Sequence, residues 1–466
     1  MATRVEKDTM GTVEVPAKAY WGAQTQRAIG NFPISGLKPH RALVTATVRI
    51  KKCAAKANVK TGRLDAELGE AIVKAADEAL AGHFADQFVV DPFQAGAGTS
   101  HNMNVNEVLA NRANELLGGE LGSYGRINAN DDVNMAQSTN DVFPTAMRLS
   151  ALELSDQLME ELSGLASALR GKGEEFDGIL KSGRTHLQDA VPIRLGQEFA
   201  AYAAAIDNNR LGVERALPAL RELGIGGTAV GTGLNAEEAY IDRVVEELAA
   251  ETGQDLSRGK NLVERMQNMD PFVALSSTLK GTAVNLIRIA NDLRLLSSGP
   301  RTGLGEINLP SLQPGSSIMP GKVNPVMAEL TDMVCFQVMG ADLTVAMAAQ
   351  AGQMELNVMM PVIAFNLLFS LEILKNCVHQ FSHLCVAGIT ANDERCRNYL
   401  DQSVGLATVL APSIGYAAAA EVAKESAKSG KSIRQVILER GILSEAELEE
   451  VLAPYPLTTP GVHEKK

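Results

Sequence analysis

The sequence predicts a mainly α-helical protein organised around five long helices. Apolar residues make up 45% of the 466 but aromatic ones only 4%, and the apolar share rests on Ala, Leu, Val and 16 Met, which favour helix over a β-sandwich. Three long segments begin at a proline: Pro271 to Ser298, Pro325 to about Gln350 and Pro361 to about Val386. Proline suits the first helical position because its missing N–H would have no intrahelical partner there. Two more helical stretches run from about Thr145 to Leu169 and from Gln197 to Leu223. At 1.5 Å per residue the proline-initiated helices are each roughly 40 Å long, which suits an extended bundle better than a globular α/β fold.

The remaining elements fall on either side of this bundle. The first 140 residues mix helix, from about Pro39 to Val59 and Asp65 to Ala81, with irregular loops. A further helical run spans Val105 to Leu117. After Gly388 come short helical pieces with two capping boxes, Ser432-Ile-Arg-Gln435 and Ser444-Glu-Ala-Glu447, in which side chain and backbone satisfy each other's unpaired groups. At roughly 150 residues per domain the length fits about three domains, divided here as 1–139, 140–390 and 391–466. Between Val358 and Leu374 nearly every helix face is apolar, so that helix needs cover all round. We expect a homo-oligomer whose long helices pack together.

Composition excludes several function classes. With 43 Lys and Arg against 55 Asp and Glu the net charge is −12, which argues against a nucleic-acid surface. The five cysteines contain no CxxC pair, which fits a reducing compartment, the cytoplasm, better than a disulfide framework. The charged N-terminus is neither a secretory signal nor an anchor. The uncharged, strongly apolar stretch Leu356 to Leu371 falls short of the roughly 18 to 20 residues that span a bilayer, so no membrane is expected.

Four loop-to-helix junctions collect small and hydroxyl residues where helix N–H groups are unpaired and anions bind. They are Gly96-Ala-Gly-Thr99-Ser-His-Asn102, Gln137-Ser138-Thr139-Asn140-Asp141, Gly183-Arg-Thr185-His186 in a loop between two long helices, and Gly315-Ser316-Ser317-Ile-Met-Pro-Gly-Lys322-Val-Asn324-Pro325. In the fourth, Asn324 reads as an N-cap and Pro325 as the first helical residue. Other motifs read as structural. Gly224-Ile-Gly226-Gly-Thr-Ala229 resembles a dinucleotide fingerprint, but no preceding strand and no βαβ unit are expected. His379 and His383 lie four apart with no third ligand apparent, and Gly430-Lys431-Ser432 reads as a helix start. No metal and no cofactor are expected.

A small dicarboxylate fits these junctions. Removing a proton next to a carboxylate builds a doubly charged aci-carboxylate, which needs preorganised N–H and cationic donors. The fourth loop offers them, together with Ser316 and Ser317, either of which can act as base where Lys322 and the loop dipoles lower its pKa.

The run Gly315 to Pro325 resembles the signature of the fumarase/aspartase superfamily. The resemblance extends from Glu6-Lys-Asp-Thr-Met-Gly11 and Tyr20-Trp-Gly-Ala-Gln-Thr25 through Gly226 to Asn235 and on to Pro454-Tyr-Pro-Leu-Thr. It implies a three-domain fold with a central five-helix bundle, a homotetrameric helical core without cofactor, and active sites assembled from three subunits. It further implies that Ser316, on a mobile loop, takes the Cβ proton, and that Lys322 and Asn324 bind a carboxylate. Thr99, Ser138, Thr139 and Asn140 would hold substrate carboxylate and amino or hydroxyl groups, Thr185 with His186 a further carboxylate, and Glu329 would pair with His186. Ala95-Gly-Ala-Gly-Thr99, Ser138-Thr-Asn-Asp141 and Ala351-Gly-Gln353-Met-Glu-Leu-Asn-Val358 resemble the aspartase branch; His186 with Glu329 and Tyr20 to Thr25 resemble class II fumarases, and Met360 departs from both. The implied reaction is reversible elimination of ammonia from L-aspartate to fumarate, with hydration of fumarate to L-malate as the alternative.

Overall fold

Residues 2–403 and 405–461 are described in a computed structural model of the chain; Val404 and the last five residues of the expected C-terminal domain lie outside them. Five long helices dominate: Thr139–Glu175, Leu195–Ala216, Asp270–Leu296, Val326–Gln350 and Met360–Leu384. Pro271 and Pro361 are the second residues of their helices, and Pro325 immediately precedes its own.

The other two long helices differ from expectation. The first begins at Thr139, not Thr145, because Ser138 and Asp141 cap it reciprocally. Ser138 Oγ accepts the Asn140 N–H at 3.2 Å, and Asp141 Oδ1 accepts the Ser138 N–H at 2.9 Å. This cap outweighs Pro144, which lies inside the helix and cannot donate to the Asn140 carbonyl. The 197–223 stretch stops at Ala216 and resumes as the short helix Pro218–Arg221, since Pro218 brings no N–H to continue it.

The chain forms two compact units, Met1–Met159 with Leu211–Ala283 and Phe336–Lys375, and Glu160–Arg210 with Val284–Cys335 and Asn376–Lys466. Each of the five long helices contributes residues to both. In the first unit, helices Arg41–Lys60, Ala66–Leu80 and Thr99–Leu116 close over an apolar cluster that includes Ile72, Val105, Leu109 and Ile127. A hairpin not foreseen in the sequence, Thr3–Asp8 against Gly11–Pro16, lies at its start. In the second unit, Leu406, Leu410, Val422, Ile433, Val436 and Leu448 form a further cluster among short helices, and both expected capping boxes are present.

Three expectations need correction. The segment carrying Thr185 and His186 is an antiparallel hairpin, Leu180–Thr185 with Gln188–Arg194, rather than a loop. Glu222–Leu223 pairs in parallel with Ser257–Arg258, with helix Glu238–Thr252 between them, so a strand does precede the Gly224 run and a minimal βαβ unit follows. Its strands are two residues long, and Glu237 and Glu238 occupy the helix start, where they oppose a phosphate. Finally, the 326–350 helix and the segment 360–388 are, by length and composition alone, long and apolar enough to cross a membrane. The first carries Asp332, ion-paired to Arg294 at 2.8 Å, and Asp342, which accepts the Ser276 hydroxyl at 2.8 Å, partners expected of a helix packed against protein.

Candidate active site

The first two junctions meet in the first unit. Helix 99–116 begins behind Gly98 at φ +92°, where a Cβ would stand 2.2 Å from the Phe143 ring, so only glycine fits. The helix therefore starts at Thr99, six residues before the expected run, and Thr99 Oγ1 donates to the Gly96 carbonyl at 2.7 Å. One turn on, Asn102 Nδ2 donates to Thr139 Oγ1 at 3.1 Å and to Asn134 Oδ1 at 3.2 Å. Thr99 and Thr139 thus head two helices whose positive ends are tied through a single amide. Asn140 Nδ2 donates to the Ala229 carbonyl at 2.8 Å.

Beneath this surface lies a buried polar layer. Lys51 is fully buried, and its Nζ donates to Asn134 Oδ1 and Gln137 Oε1, both at 2.9 Å. Burial lowers its pKa to about 7. Asp141 Oδ2 accepts the N–H groups of Gly226 and Thr228, each at 3.0 Å; burial pushes the carboxyl up to about 7, opposed by these donors and the Ser138 N–H. His101, also buried, has its Nε2 3.0 Å from Thr47 Oγ1 and is pushed down to about 4 by burial, with Lys51 adding to the shift. The loop bearing Ser138, Thr139 and Asn140 is therefore fixed from below by Lys51, Asn102, Asn134, Gln137 and Asp141. Asn102, Gln137 and Asp141 stand within the junctions noted in the sequence but had no role assigned there, and Lys51 and Asn134 were not noted at all. The available signal was Asn102 and Asn106 one turn apart on a helix that is buried along most of its length.

The third junction belongs to the second unit. His186 and Leu187 form the two-residue hairpin turn with φ of +57° and +58°, the left-handed pair that a tight hairpin requires and that ordinarily selects Asn-Gly. Holding a histidine and a leucine there stores strain of the kind found at functional sites. The hairpin is anchored two residues from its tip: Arg184 donates both terminal nitrogens to Glu306, at 3.1 and 2.9 Å. Glu306 is wholly buried and also meets Lys181 Nζ at 3.2 Å, while Lys181 donates to Glu198 at 2.8 Å. Thr185 and His186 are exposed.

The fourth junction lies in the same unit. Gly315 N donates to the Lys322 carbonyl at 2.8 Å, and Asn324 Nδ2 donates to the Gly315 carbonyl at 2.8 Å. Asn324 thus closes the loop rather than capping the helix, which begins at Val326. Ser316 Oγ accepts the N–H groups of Ile318 at 3.2 Å and Met319 at 3.0 Å. Two N–H donors aimed at one hydroxyl oxygen stabilise negative charge on it, which is what a serine acting as base needs. Ser317 has no such donors among the described residues, and Lys322 is exposed. Glu329 sits in the first turn of the following helix; among the described residues no hydrogen bond or ion pair joins it to His186 within one chain.

The candidate residues are therefore divided, Thr99, Ser138, Thr139 and Asn140 in one unit and Thr185, His186, Ser316, Lys322, Asn324 and Glu329 in the other. All five cysteines are free and buried, and burial pushes Cys53, Cys385 and Cys396 up to about 12, which leaves them poor nucleophiles. No group of three or more His, Cys, Asp or Glu side chains is arranged to hold a metal among the described residues.

A family described as "Lyase" matches residues 11–340, and one described as "Fumarase C C-terminus" matches residues 406–459. The chain is 50% identical over 463 residues to an aspartate ammonia-lyase of a Bacillus species, covering 99% of each. It is 46% identical over 456 residues to a class II fumarate hydratase of Myxococcus xanthus, covering 98% of each. A crystal structure of a Brucella melitensis fumarate lyase:delta crystallin bound to cobalt superposes with a TM-score of 0.95 at 49% identity, covering 98% of this chain and 100% of that one. Class II fumarase from Schistosoma mansoni gives 0.91 at 39% identity, covering 97% and 98%. On this full-length likeness, the chain belongs to the fumarase/aspartase superfamily of lyases.

Proposed function

We propose that the protein is a carbon–nitrogen lyase that reversibly converts L-aspartate to fumarate and ammonia. The observation that carries this reading is the 50% identity to aspartate ammonia-lyase along 99% of both chains. In the proposed step the Ser316 alkoxide, held by the Ile318 and Met319 N–H groups, takes the Cβ proton. The electron pair left on Cβ is delocalised into the adjacent carboxylate as an aci-carboxylate, countered by Lys322 and Asn324. Its return forms the Cα–Cβ double bond as the Cα–N bond breaks, and the ammonium leaves as ammonia, which is protonated in solution. Thr99, Ser138, Thr139 and Asn140, with Thr185 and His186, bind the carboxylates and the amino group, and Glu329 orients His186.

The same reading makes the protein a cytoplasmic homotetramer of three-domain chains (1–139, 140–390 and 391–466) whose sites draw residues from three subunits. One observation supports the assembly: the 326–350 helix exposes Met333, Phe336, Leu343 and Met347, an apolar face that a second copy would bury. The test is the rate of fumarate formation, followed by ultraviolet absorbance, from L-aspartate and separately from L-malate. Fumarate from L-aspartate alone is expected. The class II fumarase likeness and the retained His186 with Glu329 favour the second reading, hydration of fumarate, which product from L-malate alone would establish. Mixing a Ser316→Ala variant with a Thr139→Val variant after dissociation is expected to restore part of the activity; failure to do so in a re-formed tetramer would count against shared sites.

A further inference from the structure

Asn102 lies against the Thr139 hydroxyl, and the proposed reaction gives it no part. The direction of its hydrogen bonds is set by Lys51. As an ammonium Lys51 can only donate, and its Nζ reaches Asn134 Oδ1 and Gln137 Oε1, both at 2.9 Å, so each amide must turn its carbonyl oxygen towards it. The amide nitrogens then face backbone carbonyls: Asn134 Nδ2 donates to that of Gln137 at 3.2 Å, and Gln137 Nε2 to those of Val133 and Met135 at 3.2 and 3.0 Å. Asn134 Oδ1 also collects Asn102 Nδ2 and Asn106 Nδ2, each at 3.2 Å. With one N–H of Asn102 spent there, the other points at Thr139 Oγ1, 3.1 Å away, which can only accept it. The commitment leaves Asn102 Oδ1 buried without a partner among the described residues. The Thr139 hydroxyl hydrogen has no acceptor among them either.

We propose that Asn102, oriented by Lys51 through Asn134, is a positioning residue that makes the Thr139 hydroxyl an obligate hydrogen-bond donor to a substrate carboxylate. The inference rests on the placement of Thr139 in the substrate site. A threonine hydroxyl can turn its hydrogen towards either of two neighbours, and one that donates inward offers an anion only lone pairs. Here each bond from Lys51 to Thr139 has one allowed direction, so the outward O–H is set before substrate arrives. A hydrogen bond from it to a carboxylate is charge-assisted and needs no reorganisation. Asn102 is enclosed, at 1% exposure, and acts only through Thr139.

The test is a double-mutant cycle on succinate binding by the full chain, followed by calorimetry. Asn102→Asp keeps the shape but presents only acceptors, so the Thr139 hydrogen turns inward; affinity is expected to fall about 10- to 100-fold, and as much in Thr139→Val. Combining the two should cost no more than about twofold beyond the weaker single variant. A carboxylate that merely repelled the anion would weaken binding equally without the Thr139 hydroxyl, so additive losses would overturn the inference, as would unchanged affinity in Asn102→Asp or no saturable succinate binding by the parent chain. Asn102→Leu, uncharged and of similar size, answers the same question should a buried carboxylate unfold the chain: a loss of at least about threefold, absent when Thr139 is already Val, is expected, and a loss that persists there counts against the role. In turnover these variants should raise KM by the same factor and change kcat by less than about twofold. Succinate is a dicarboxylate that neither functional reading converts, so a chain that binds it but forms no fumarate from L-aspartate would refute the proposed reaction, while the cycle would still decide the role of Asn102.

Discussion

The loop at residues 137–141 and the tips at residues 186–187 and 315–324 carry similar polar residues but are held in opposite ways. Ser138, Thr139 and Asn140 rest on a buried layer in which Lys51, Asn102, Asn134 and Asp141 are bonded to one another or to the loop itself. The His186 and Lys322 side chains stand exposed, and the side-chain bonds that anchor their tips lie two residues away, at Arg184 with Glu306 and at Asn324 with Gly315. A preformed cradle suits groups that must be in place before substrate arrives, since preorganisation removes reorganisation from the reaction. An exposed tip on a rigid anchor suits groups that complete the site afterwards or reach another copy of the chain.

Substitutions can break this contrast. The largest effect is expected from Ser316→Ala, which removes the hydroxyl oxygen that collects two N–H groups: fumarate formation should fall by about 10²- to 10⁴-fold, with the melting temperature unchanged because the loop packs against little. Unchanged turnover would refute the base assignment. Next is Glu306→Gln, which leaves Arg184 without its buried counter-charge and Lys181 with Glu198 alone. A loss of about 3–5 kcal/mol is expected, read as a lower denaturation midpoint together with a raised KM as the hairpin tip loosens. If stability falls and KM holds, the anchor does not set the tip.

The buried layer should announce itself through pH. His101 has a folded pKa of about 4 against an ordinary value near 6.5, so between pH 6.5 and 4 the unfolded chain binds the proton and the folded chain does not. Stability from this group is complete above about pH 6.5 and declines as pH falls towards 4, by about 3 kcal/mol in all. Denaturant titrations at several pH values should show that slope and should flatten in His101→Gln. The smallest effect belongs to the hairpin turn. Leu187→Gly removes a left-handed leucine that costs roughly 1 kcal/mol but adds freedom to the unfolded chain. The melting temperature is expected to move by no more than a degree or two, and a larger fall would mean that the Leu187 side chain, not the turn geometry, holds the tip.

The long helices were legible because their signals are local: Pro271, Pro325 and Pro361 mark starts within a residue, and Ser432 and Ser444 mark caps. The hairpin at residues 180–194 was not, since His186-Leu187 lacks the Asn-Gly pair that announces such a turn and its strands are fixed by Glu306, far along the chain. The start at Thr139 was missed because Pro144 argued locally against it while Asp141 argued for it through a cap and through Gly226 and Thr228. Ser316, Lys322 and Asn324 stood out in the sequence as one eleven-residue run, but the N–H groups that point at Ser316 Oγ depend on how that run turns.

Taken alone, the sequence determined the helical class, the run of five long helices, the four junctions and the family, because propensity, capping and motif spacing act over a few residues. Only the tertiary structure decided which junctions share a unit, which buried groups hold them and which side chains stay exposed. Those outcomes depend on desolvation and on hydrogen bonds between residues as distant as Lys51 and Gln137 or Arg184 and Glu306, and these arise only once the intervening chain is packed.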